Sequence, residues 1–150
     1  MSISDAADLK KLLKALGFEV YRTSEGRVLL AERVRNNLIM DSGVAVGPVG
    51  SYGEDPTRLR ISVTLRAQAS HFPGANVEQL RTTARALAAP LIDRGYDEEG
   101  ASSEHLLDPA DHEQILDTSH EVRLGLDLLV TQLEDELRRL LATTRSSSDD

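Results

Sequence analysis

The chain has 150 residues, 40% of them hydrophobic and 28% charged, with net charge −8 and no cysteine. That is enough chain for one ordinary globular core, and the absence of thiols excludes disulfides, thiolate zinc sites, iron–sulfur clusters and a cysteine nucleophile. The charge is uneven: residues 1–66 carry ten Lys/Arg against eight Asp/Glu, residues 67–150 seven against seventeen, so the second half repels phosphate backbones and no nucleic-acid partner is expected.

The N-terminal stretch lacks the basic-then-apolar pattern of a secretory signal. No apolar run approaches the ~20 residues of a membrane span. A cytoplasmic protein without a membrane partner is expected.

In chain order, residues 5–16 read as a helix, capped by Ser4 or Asp5, with Leu9, Leu12, Leu13 and Leu16 on one stripe and Gly17 as its stop. "FEVYRT" (18–23) and "RVLLAERV" (27–34) read as strands around an "SEG" turn. "LIMDSGVAVG" (38–47) follows and runs into a Gly-rich loop ending at Pro56. The segment 58–67 alternates most clearly: Leu59, Ile61, Val63, Leu65 and Ala67 face one side, and Arg58, Arg60, Ser62, Thr64 and Arg66 the other. One wet and one dry face suits an antiparallel sheet.

Asn76 then caps a second helix with a stripe of Val77, Leu80, Ala84, Leu87, Ala88 and Leu91. Pro90 is expected to bend or break it near its end, and Gly95 to terminate it. The acidic stretch 97–121 is ambiguous, with strands conceivable at "ASSEHLL" and "EVRLGL". Residues 127–144 read as an amphipathic helix with Asp127 as cap and Leu129, Val130, Leu133, Leu137, Leu140 and Leu141 on its apolar side. Residues 146–150 read as a frayed, disordered tail. The expectation is one α+β domain over 1–145, a two-layer arrangement of an antiparallel sheet of about five strands with three helices.

Candidate sites are few. His105, His112 and His120 lie among Asp108, Asp111, Glu113 and Asp117, but Pro109 interrupts them and the spacing matches no ligand signature, so a solvated surface is the better reading. A small metal-dependent hydrolase built from His71, His105, His112 and nearby carboxylates is the enzymatic alternative. No G-x-S-x-G elbow supports a nucleophilic serine. "GVAVGPVGSYG" lacks the G-K-[ST] of a phosphate loop and leads into no helix; a lid over a small ligand (43–53) is the third alternative. No catalytic residue, metal or cofactor is therefore assigned. What remains is contact: Leu129, Val130, Leu133, Leu137 and Leu140 form a wide stripe that would bind a partner if the sheet leaves part of it uncovered, and would be core otherwise.

The layout of residues 9–16, 18–46, 77–94, the strands within 101–126, and 129–141 resembles the small acidic chaperones of type III secretion and the YbjN-like proteins of similar fold. The size, the pI near 5.0 and the lack of cysteine suit that class, while the strand at 58–67 and the loop before it are additions to it. The resemblance implies a homodimer that binds an extended segment of a partner protein on apolar patches, without catalysis.

Overall fold

A computed structural model describes residues 5–33, 39–47, 57–72 and 74–148. It contains three helices and one antiparallel sheet of six strands in the order β1-β2-β3-β4-β6-β5: β1 Val20–Ser24, β2 Arg27–Arg33, β3 Ile39–Val46, β4 Arg58–Gln68, β5 Asp97–Asp108 and β6 Asp111–Leu129. The α+β layout is as the sequence suggests, with one strand more than expected. The residues group into two compact units, Met1–Ser62 with Asp127–Asp150, and Val63–Leu126. No helix is long and apolar enough to cross a membrane among the described residues.

The first unit opens with α1, Ala6–Ala15. The Asp5 carboxylate accepts the Asp8 N–H at 2.8 Å, satisfying one of the donors a helix start leaves over. Leu9 and Leu13 are fully buried, and α1 lies against β1 and β2. The chain leaves through Gly17 at φ +94°, a conformation that would strain a side chain bearing Cβ. Ser24 and Arg27 pair across a two-residue turn whose central residues, Glu25 and Gly26, both have positive φ, the turn that suits strand twist. Across β2 and β3 the register shifts between Leu29 and Ala31. There the Ser42 hydroxyl donates to the Leu30 carbonyl at 2.8 Å and accepts from the Val44 N–H, replacing ladder bonds that the irregularity removes.

The last helix, α3, runs Leu133–Ser148, three residues into the stretch expected as a tail. It starts later than its apolar periodicity suggests. β6 continues to Leu129, a 3-10 turn occupies Val130–Gln132, and the Val130 N–H donates to the Thr57 carbonyl. Asp127 is consequently a strand residue paired with Arg60, not a helix cap.

In the second unit β4 buries Val63 and Ala67, and half-buries Leu65, on the expected face. α2, Val77–Asp93, carries a reciprocal cap: the Asn76 side chain accepts from the Gln79 N–H, and the Gln79 side chain accepts from the Asn76 N–H. Leu80, Ala84, Ala88 and Leu91 are buried, whereas Leu87 is exposed. Pro90 lies inside the helix, which continues for three more residues. It withholds a donor from the Ala86 carbonyl without ending the helix. Residues 97–129 form one long hairpin whose strands are separated only by Pro109 and Ala110.

Candidate functional site

In an antiparallel ribbon, directly opposed residues share a face. Ser103 opposes His120, and His105 opposes Thr118, so these four stand on one face of the β5–β6 hairpin. The contacts follow the register: Ser103 Oγ lies 2.8 Å from His120 Nδ1, and Thr118 Oγ1 lies 2.9 Å from His105 Nδ1. His120 is 4% exposed and its Nε2 has no hydrogen-bond partner. Loss of water holds its pKa below the ordinary histidine value, and the Arg81 and Arg85 guanidiniums of α2 push the same way, against smaller opposing effects of Glu121 and Glu78.

The other histidines are exposed: His105, His112 and His71, the last in a 3-10 turn after β4. Beside His71, the Ser70 N–H and hydroxyl both donate to the Asp117 carboxylate, at 3.1 and 2.9 Å. These bonds, the hydroxyl's foremost, lower the Asp117 pKa, with a smaller contribution from the His71 charge. Asp108 and Asp111 are spent on the turn, accepting from the Ala110 and Glu113 N–H groups. Among the described residues no three His, Asp or Glu side chains stand where they could hold a metal ion. The histidines of 105–120 are therefore spread along a ribbon, and a site at His105 and His112 has no geometry behind it. Most of the Gly-rich lid candidate, residues 48–53, lies outside the described residues.

The last helix is placed clearly. Leu133, Leu137 and Leu140 are 0%, 0% and 1% exposed, so three of the five residues considered for partner binding are core. Arg138, on the other side of the helix, donates to the Leu16 carbonyl at 2.9 Å and stands 5.2 Å over the Phe18 ring, which ties α3 to the end of α1. Val130 is half-buried and Leu129 exposed.

The exposed apolar surface is elsewhere. At the end of the β5–β6 hairpin Leu106, Leu107, Ile115 and Leu116 are 62%, 42%, 52% and 52% exposed. Leu107 opposes Ile115, Leu106 opposes Asp117, and the register slips between them, leaving Leu116 as the additional residue of a bulge. Successive residues of a strand point to opposite faces. Leu106 and Leu107 thus put aliphatic surface on both sides of the ribbon, and both sides are wet. The sequence offers a strand at "ASSEHLL", which holds Leu106 and Leu107, but the surrounding acids give no sign that these four side chains form an exposed apolar surface. The signal was nonetheless present as two aliphatic pairs, "LL" and "IL", flanking the turn "DPAD".

No protein-family model, curated protein or solved structure matches the chain.

Proposed function

We propose that this chain is a non-catalytic protein-interaction or chaperone-like domain that binds a partner polypeptide through apolar surface, and that the tip of the β5–β6 hairpin is that surface. The supporting observation is the exposure of Leu106, Leu107, Ile115 and Leu116, at 42% or more each, within eleven residues of one ribbon. A single exposed leucine is ordinary. Four together hold apolar surface in water on both faces of the ribbon, and covering it would favour association by about 25 cal/mol for each Å² removed from water. The layout resemblance to secretion chaperones supports the same class of activity. Of the residues considered for contact on the last helix, Leu133, Leu137 and Leu140 are core, so partner binding is assigned to the tip.

The test is a photo-reactive residue at position 107 or 115 of the full chain, with position 25 as control, irradiated in the cell of origin. One polypeptide is expected to cross-link at both tip positions, not at position 25, and to vanish when Leu106→Asp and Leu116→Asp are combined. Labelling at the tip no stronger than at position 25 sinks the reading. Light scattering on the purified chain separates a second copy from a different partner.

A further inference from the structure

On the reading of the hairpin as a partner-binding surface, we infer that its occupant is an extended segment of another protein, basic and aliphatic in alternation, which adds as a strand to the outer edge of β5. The strand order supplies the first ground. β5 stands last, beside β6, and no strand among the described residues pairs with its outer edge. An edge strand presents main-chain donors and acceptors in register, and strand addition is the binding mode that uses them.

Side-chain exposure supplies the second. Along residues 100–108, Ala101, Ser103, Glu104, His105, Leu106 and Leu107 are exposed, on both faces of the ribbon. An added strand would therefore meet an aliphatic side chain above and below, at Leu106 and Leu107, within cross-strand reach of about 5 Å.

Charge selects the occupant. β5 carries Asp97, Glu98, Glu99, Glu104 and Asp108, and residues 97–117 contain eight Asp/Glu and no Lys or Arg. A strand that sets Lys or Arg opposite Glu104 is attracted and one with an acid there is repelled; its alternation then brings aliphatic side chains against Leu107 on the other face, while the apolar stems of its cations cover Leu106. Glu98 is already paired with Arg85 at 3.1 Å, so the selective charge lies farther along the strand, at exposed Glu104; the acidic field also disfavours nucleic acid, an anionic lipid surface and a second copy of β5.

The test uses three short peptides with the full chain: one alternating Lys and Val, its Glu-and-Val counterpart, and the Lys-and-Val peptide N-methylated on successive amides. Calorimetry should show the basic peptide binding at least about tenfold more tightly than the acidic one, with affinity falling as salt is added. N-methylation should abolish binding, and amide hydrogen exchange should slow across residues 100–108. Exchanging the exposed acid, as Glu104→Lys, should weaken the basic peptide and strengthen the acidic one. Equal binding of acidic and basic peptides, indifference to N-methylation, or protection absent from residues 100–108 overturns the inference. If that occurs while cross-linking at positions 107 and 115 still succeeds, only strand addition has failed; if the cross-links fail as well, the interaction reading has failed with it.

Discussion

His120 is the residue whose burial has a measurable cost. Its ring is removed from water, Ser103 engages one nitrogen, and Nε2 lies without a partner while Arg81 and Arg85 bring positive charge nearby. All of this favours the neutral imidazole. The unfolded chain takes up the proton near the ordinary value of about 6.5, and the folded chain only at lower pH. Stability from this group is then fully present above the unfolded value and is lost as pH falls below it toward the folded one. Denaturant midpoints measured from pH 7.5 down to 5.5 should decline, and His120→Gln should decline less over the same interval. Parallel curves for the two proteins would mean that His120 is not the cause. Glu121, next along the strand and only 10% exposed, is the opposite case: a buried charge compensated by Arg66.

At the scale of elements, α3 and the β5–β6 hairpin make a matched pair of apolar sequences with opposite fates. Leu137 on α3 is fully buried, so Leu137→Ala should cost about 2–5 kcal/mol in chemical denaturation. Leu107 is 42% exposed and faces Ile115 across the ladder, so Leu107→Ser should cost no more than about 1 kcal/mol. A large loss at Leu107 would show that the tip packs inside the fold. The contrast also explains which elements could be read from sequence. α1 and α2 announce themselves through caps at Asp5 and Asn76, and β4 through an alternation that burial on one side imposes. The ribbon at 103–116 has no covered face, so no period of two is imposed on its side chains, and its acids make it resemble a loop. The start of α3 was misplaced for a different reason. Residues 127–132 continue a helical spacing, but their backbone is committed to β6 and a 3-10 turn, and Asp127 to Arg60. On α3 the leucines at helical spacing, Leu133, Leu137 and Leu140, are core, while the exposed aliphatics of the ribbon lie where no period is imposed.

For the whole molecule, net charge −8 and a pI of about 5.0 keep copies apart at neutral pH. As pH falls toward 5 that repulsion fades while the tip leucines stay in water. Turbidity at pH 5 should therefore be lower for a chain carrying Leu106→Ser and Leu116→Ser than for the native one, with no difference at pH 8. Equal turbidity at pH 5 would place the sticky surface elsewhere. The two-residue Pro109–Ala110 connection has a consequence in time as well as in space. A turn that short closes at little entropic expense, and hairpins assemble in about 1–10 μs, whereas translation adds only some 5–20 residues each second. Once residues 97–129 have left the ribosome, the ribbon and its leucines would thus close in less time than one further residue takes to add, and would meet a waiting partner already formed.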